Sequence, residues 1–256
     1  MIWNPFRKAS RTGRPGKAAL RPGLRIYAIG DIHGCATLLE QLHLKLIDDL
    51  ARGSPPDVLW IYLGDYVDRG PDSKGVLDQL TGPAPADVER VFLKGNHEDM
   101  LLRFVNDPEN ESEWCHFGGF ETLLSYRMDV NALMKQGGYN ALAAEFTGCL
   151  SEKHARFLTE LKTGYSSGGY YFCHAGIRPG TPIDRQDPYS LMWIRHEFLS
   201  STADHGQIIV HGHAATEEPE VHHNRINIDT GAYATGRLTA LAIEEDNRRF
   251  ISVGPA

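Results

Sequence analysis

The chain is poor in cysteine, has no long apolar run, and carries no acid over its first 25 residues. Its four cysteines (Cys35, Cys115, Cys149, Cys173) stand far apart without paired spacing. That excludes a disulfide framework or a zinc knuckle and fits a reducing cytoplasm. No apolar segment reaches the length of a membrane span or a signal sequence, so no membrane partner is expected. The head holds seven basic residues (Arg7, Lys8, Arg11, Arg14, Lys17, Arg21, Arg25) and is broken by Gly13, Pro15, Gly16, Pro22 and Gly23. These breaks deny it the amphipathic helix of a transit peptide and leave residues 1–23 as a disordered basic arm. The remaining 19 basic residues face 33 acidic ones, so the body is acidic although the whole chain is only −7. Such a body argues against nonspecific nucleic-acid binding as the main activity. Within 256 residues, 41% hydrophobic, one domain over residues 24–256 can bury a substantial core, and a monomer is expected.

What is present is a series of apolar runs that stop at glycine. Leu24 to Ile29 reads as a strand ending in Gly30-Asp31-Ile32-His33-Gly34. Thr37 to Leu50 follows with Leu38, Leu42, Leu46 and Leu50 at helical spacing. Val58 to Leu63 is a second strand, stopped by Gly64-Asp65-Tyr66-Val67-Asp68-Arg69-Gly70. Ser73 is expected to cap a helix through Leu80. Val88 to Leu93 is a third strand, stopped by Gly95-Asn96-His97-Glu98, with helix over Asp99 to Val105. This alternation predicts a mostly parallel sheet with covered faces. Residues 106–162 keep helical spacing (Phe120, Leu123, Leu124; Leu142, Phe146; Phe157, Leu158, Leu161), with turns at Gly118-Gly119 and Gly137-Gly138. They predict an all-helical insertion. Strands then return at Gly169–Cys173 before His174-Ala175-Gly176, and at Gln207–Val210 before His211-Gly212-His213. Arg225–Ile228, Leu238–Ile243 and Phe250–Val253 complete a β-rich end. There is no internal repeat.

The turns hold the chemistry. Ligands of open α/β sheets bind where strands end, and Asp31, His33, Asp65, Asn96, His97, His174, His211 and His213 all sit there. Asp65 and Asp68 repel each other unless a cation or a neutral partner holds one of them. Arg69 adds a fixed fork suited to phosphate. Oxygen and nitrogen donors without cysteine suit divalent cations, and a carboxylate between histidine-bearing loops can bridge two. Cys35 and Cys173 sit beside these turns, with packing as their default role.

Together, Gly30 to Gly34, Gly64 to Gly70, Gly95 to Glu98, His174 to Gly176 and Gly212-His213 resemble, in order and spacing, the signature of the phosphoprotein phosphatase family of calcineurin-like metallophosphoesterases. The chain looks like its compact bacterial serine/threonine phosphatases. The resemblance implies an α/β/β/α sandwich of two mixed sheets with a helical insertion. It implies two divalent ions, with Mn expected and Fe, Zn, Co or Ni accepted. Asp31 and His33 would hold the first, Asp65 both, and Asn96, His174 and His213 the second. His211 is assigned a structural or supporting role, although in an extended segment it would share His213's side. Arg69 and, on a shorter motif, Arg195 would bind phosphate. His97 is expected to protonate the departing oxygen, with Asp68 holding its ring.

The implied activity is hydrolysis of phosphoserine and phosphothreonine, with phosphotyrosine as a further substrate, in proteins, by in-line attack of a hydroxide bridging the two ions. The alternative is hydrolysis of dinucleoside polyphosphates or nucleotides. Bacterial diadenosine tetraphosphatases of this family lack an acid at the Asp68 position, which tilts the expectation towards protein substrates. A non-catalytic phosphate-recognition module is disfavoured, because neither the ligand set nor His97 is degraded.

Overall fold

A computed structural model describes residues 18–53, 55, 57–85 and 88–255. Most of the expected basic arm, residues 1–17, lies outside them. The arm's last residues belong to the body: Leu20 is buried, its N–H donates to Glu245 O (2.9 Å), and Ala19 O accepts from Gly169 N–H (3.0 Å).

In chain order the elements are β1 (Leu24–Ile29), α1 (Ala36–Ala51), β2 (Asp57–Tyr62), α2 (Ser73–Leu80), β3 (Glu89–Phe92) and α3 (Asn96–Asn106). A π-type turn at Cys115–Gly119 leads into α4 (Phe120–Ser125), α5 (Val130–Cys149) and α6 (Glu152–Thr159). Then come β4 (Gly164–Ser167), β5 (Tyr170–Cys173), α7 (Pro188–Trp193), α8 (His196–Leu199), β6 (Ile208–His211), β7 (Glu220–Val221), β8 (Arg225–Asn227), α9 (Ala232–Thr235), β9 (Leu238–Glu244) and β10 (Asn247–Val253).

The strands form two mixed five-stranded sheets, ordered β10-β9-β1-β2-β3 and β4-β5-β6-β8-β7. Within the first, β1, β2 and β3 run parallel; within the second, β5, β6 and β8 do. The period-2 alternation of side chains explains the layering. Ile26, Ala28, Leu59 and Ile61 face Phe172, Val210, Ile226 and Ile228 in a core between the sheets. Their neighbours Tyr27, Ile29, Trp60 and Tyr62 face Leu39, Leu42 and Leu46 of α1 and Val76 and Leu77 of α2. On the far side, Tyr171, Cys173 and Ile209 pack with Leu191 and Phe198. The expected α/β/β/α sandwich is thus observed.

The helical insertion is observed as well, and its Leu123, Leu142, Phe146 and Leu158 join the α1–α2 core. Leu124 is exposed. Gly137 and Gly138 break α5 with non-helical dihedrals, as the glycine pair suggested.

Several local expectations shift. The inward face of α1 centres on Leu39, Leu42 and Leu46, with Leu38 and Leu50 half-buried. Asp72, not Ser73, caps α2 by accepting the Gly75 N–H at 2.8 Å. Helix α3 begins at Asn96 rather than Asp99, which places Asn96 and His97 in its first turn. The short polar edge strands β4 and β7 carry no apolar run to betray them. All four cysteines are free thiols, and no helix among the described residues is long and apolar enough to cross a membrane.

Ile61 is fully buried between the sheets. Ile61→Ala should lower stability by about 2–5 kcal/mol, read as a fall in the urea midpoint with an unchanged slope.

Candidate metal centre and its rim

Parallel strands present their carboxyl ends to one rim, so residues far apart in sequence converge there. The loops after β1, β2 and β3 meet those after β5, β6 and β8. Ile32 and His33 N–H both donate to Asp65 O (3.0 and 2.8 Å), joining the first two loops. His213 N–H donates to Asp31 Oδ2 (3.0 Å), joining the second sheet to the first. The first turn of α3 points at Asp65: the His97 N–H donates to Asp65 Oδ1 (3.1 Å), where free N–H groups and the helix dipole favour a carboxylate.

Glu98 organises this rim from beneath. Fully buried, its Oε2 accepts the N–H of Asp65 (2.9 Å) and Gly95 (3.0 Å), and its Oε1 those of Tyr66 (2.8 Å) and Val67 (3.3 Å). Burial and the neighbouring Asp65 push the Glu98 carboxyl up to about 7. The turns of the rim are strained. His33, Asp65, Asp68, Arg69 and His213 all have positive φ, between 44° and 73°, a region non-glycine residues rarely enter. Glycine makes room beside them: a Cβ on Gly212 would stand 2.0 Å from Asp31 Oδ1, and one on Gly95 2.1 Å from Asp65 Oδ1.

Two donor groups share Asp65. His33 Nε2 lies 3.3 Å and His97 Nε2 4.0 Å from Asp65 Oδ2. On the other oxygen, His174 Nε2 lies 3.4 Å from Asp65 Oδ1, 2.9 Å from Asn96 Oδ1 and 3.1 Å from His213 Nδ1. The sets His33–Asp65–His97 and Asp65–His174–His213 each have the compactness of a metal site. Backbone carbonyls orient the rings. His33 Nδ1–H donates to Val67 O and His174 Nδ1–H to Leu63 O, both at 3.0 Å, which turns each Nε2 lone pair inward, as a metal ligand requires. His97 differs: its Nδ1–H donates to Asp68 Oδ2 at 2.7 Å.

Charge in the centre is unbalanced. Burial, with Asp229 and Asp65 close by, pushes Asp31 well above the ordinary carboxylate range. Burial opposes ionisation of Asp65 too, but His174, His97 and His33 hold it well below that range. Burial lowers His33 to about 4, whereas Asp65 and Asp68 outweigh burial and raise His97. Asp31 Oδ1 and His213 Nε2 are buried without a hydrogen-bond partner. Buried carboxylates, neutral inward-facing imidazoles and orphaned donor atoms fit a pair of divalent cations.

The expected residues Asp31, His33, Asp65, Asn96, His97, His174 and His213 are therefore together. His211 is not among them. The chain does not stay extended: β6 ends at His211 and His213 is left-handed. The His211 ring packs on Phe198 (5.1 Å between centroids) beside Arg225 (3.4 Å).

Sequence reasoning missed Asp229, a buried acid whose charge lies close enough to Asp31 to raise it and which burial itself pushes up to about 6. Asn227-Ile228-Asp229-Thr230-Gly231 is one more strand-end turn carrying an acid, and that signal was available. It also missed Trp114, Thr122 and Tyr233, for which spacing offers none.

Beside the centre opens a bowl of about 730 Å³, with Arg69 and Arg195 facing His116, Phe117, Phe120 and Tyr233. Arg69 donates from Nη1 to His33 Nε2 (3.0 Å), and its guanidinium lies 4.9 Å from the Tyr233 ring centroid. Burial and the nearby Arg69 lower Arg195. Phe117 is 53% exposed, a large apolar ring turned to solvent at the rim.

Two mixed sheets with a buried acid–imidazole centre at their common rim define a metallophosphoesterase. The chain belongs to the calcineurin-like phosphoesterase family, which it matches over residues 24–247. Among its relatives, bis(5'-nucleosyl)-tetraphosphatase PrpE of Oceanobacillus iheyensis is 27% identical, the alignment covering 90% of this chain and 92% of that protein. The same-named protein of Bacillus thuringiensis is 28% identical over 85% of this chain and 89% of its own. Among solved structures, a putative diadenosine tetraphosphatase superposes with a TM-score of 0.61 at 20% identity, covering 97% of this chain and 99% of its own. A cold-active protein tyrosine phosphatase gives 0.59 at 18%, covering 91% and 81%. Both of these sequence relatives carry the name of the alternative activity rather than that of a serine/threonine protein phosphatase.

Glu98→Gln would set an amide NH2 against backbone N–H groups. It should cost about 1–3 kcal/mol of stability and reduce bound metal by elemental analysis. A variant with wild-type stability and metal content would show that the rim stands without the Glu98 bracket.

Proposed function

We propose that this chain hydrolyses dinucleoside polyphosphates with the help of two divalent cations. The observation that carries the reading is the bowl. Two guanidiniums lie at its inner edge and aromatic rings line its wall, which suits a polyphosphate chain ending in a nucleobase. The named relatives support the same reading.

Asp31, His33 and Asp65 would hold one cation, and Asp65, Asn96, His174 and His213 the other, with manganese the proposed occupant of this mixed oxygen and nitrogen set. Bound there, the cations supply an activated water at neutral pH and neutralise phosphate charge. Arg69, steadied by Tyr233, and Arg195 grip the non-bridging oxygens as charge spreads over them. His97, its Nδ1–H fixed on Asp68, turns Nε2 towards Asp65 and gives its proton to the departing oxygen. Phe117 and Phe120 offer their faces to the base.

One observation favours a second reading, a phosphomonoesterase acting on phosphorylated proteins. The buried His97–Asp68 pair at 2.7 Å is a proton donor of the kind a poor alkoxide leaving group needs most. The leaving phosphate of an anhydride is a weaker base and needs it less. The bowl and the relatives outweigh this.

Rates of the metal-loaded enzyme on diadenosine tetraphosphate and on phosphoserine peptides separate the two. The expected kcat/KM ratio favours the dinucleotide by more than about tenfold, and a ratio favouring the peptide would install the second reading. Phe117→Ala should raise KM for the dinucleotide about 5- to 20-fold, as loss of one stacking partner does, with kcat nearly unchanged. An unchanged KM would remove Phe117 from the binding surface.

A further inference from the structure

The insertion reaches the proton donor. Asp68 is fully buried and left-handed at φ 73°, so neither water nor a regular backbone directs its side chain. Its carboxylate is held instead by two residues of the insertion. Trp114 Nε1–H donates to Oδ2 (2.8 Å), the oxygen that also accepts His97 Nδ1–H, and Thr122 Oγ1–H donates to Oδ1 (2.7 Å). Asp68's own N–H is taken up by Ser73 Oγ (3.0 Å) and Thr122 Oγ1 (2.9 Å).

Both partners are themselves immobilised. Trp114 is 1% exposed and lies against Phe104, 4.7 Å between ring centroids, while Thr122 is fully buried. Between them runs the π-type turn that forms one wall of the bowl, and its Gly118 O accepts the Arg69 N–H (3.2 Å).

We propose that Trp114 and Thr122 are positioning residues: they fix the direction of the Asp68 carboxylate and through it aim His97 Nε2 at the departing oxygen. A carboxylate can accept along about four directions. With three taken by donors from three elements it cannot rotate, and neither can the imidazole bonded to it. Freed of the indole N–H, the carboxylate would swing within its pocket, and the proton would be delivered out of line. Touching neither the substrate nor the cation ligands, the two residues act only through Asp68. The inference rests on the reading of His97 as the proton donor for the leaving group.

The test compares 4-nitrophenyl phosphate, whose leaving group departs without help, with phenyl phosphate, whose leaving group needs a proton. The metal-loaded variants are Trp114→Phe, Thr122→Val, Thr122→Ser and, as reference, His97→Asn. His97→Asn should lower kcat on phenyl phosphate about 100-fold or more while sparing 4-nitrophenyl phosphate. Trp114→Phe and Thr122→Val should each lose about tenfold on phenyl phosphate and less than about twofold on 4-nitrophenyl phosphate, with KM and metal content unchanged. Thr122→Ser, which keeps the hydroxyl, should restore the phenyl phosphate rate. If His97→Asn discriminates between the substrates while the folded Trp114→Phe or Thr122→Val variant does not, the positioning role is overturned and the reading of His97 stands. If His97→Asn itself fails to discriminate, the reading of His97 falls and takes the inference with it.

Discussion

Three carboxylates, Asp31, Asp65 and Asp229, are buried in one place, and the construction of the rim answers the cost of burying them. Each ion taken out of water loses several kcal/mol of solvation, and like charges at close range add to that. Some relief is internal. The first turn of α3 faces Asp65, the His213 N–H holds Asp31, and His97 is drawn towards its protonated form. The remainder is left unrelieved, as the raised Asp31 and Asp229 and the orphaned Asp31 Oδ1 record. A centre of this kind is poised to take up positive charge, because bound cations would remove the penalty that the protein alone does not.

The same constraint explains the backbone. Bringing side chains from six strand ends to a common point requires sharp turns, and five site residues accept left-handed dihedrals to make them. Strain of about 1–3 kcal/mol at each such position persists only where the surroundings over-determine it. Here Glu98 collects four N–H groups from two loops. Gly212 and Gly95 allow their chains to pass where a methyl group would strike Asp31 or Asp65. Glu98 also contributes to the N-terminus of α3 through the Gly95 N–H. One carboxylate therefore sets both the turn that presents Asp65 and the helix that presents Asn96 and His97.

How much of this could be read from the chain follows from the range of the interactions. Asp31, Asp65, Asn96 and His174 each stand within two residues of a glycine after an apolar run, so short-range pattern found them, and the apolar runs of β1 and β2 with helices between them marked a sheet covered on its faces. The insertion's helices were legible for the same reason, down to the break at Gly137–Gly138. Asp229 was passed over because its turn has no histidine to draw attention, although its form matches the others. The orientation of His211 depended on where β6 stops, and boundaries are set by partner strands rather than by local preference. Trp114 and Thr122 meet Asp68 across 46 and 54 residues, a distance over which spacing carries no information. Substrate class was least legible. Phosphoprotein and dinucleotide hydrolysis call for the same cation ligands, and beyond the demand on the proton donor they part company at the bowl, whose wall comes from the segment with no strand-end motif.

The insertion is accordingly more than a cover for the sheet. The stretch from Trp114 to Thr122 supplies donors to Asp68 at its two ends and, between them, the aromatic wall and the carbonyl that braces Arg69. Selecting a leaving group and protonating it are separate problems in chemistry, yet here a single segment touches the parts of the site proposed to address each. A change in the length or packing of this stretch would alter the shape offered to the leaving group and the aim of the proton together. Two enzymes sharing every metal-facing residue could thus diverge in substrate by remodelling about ten residues that contact none of them.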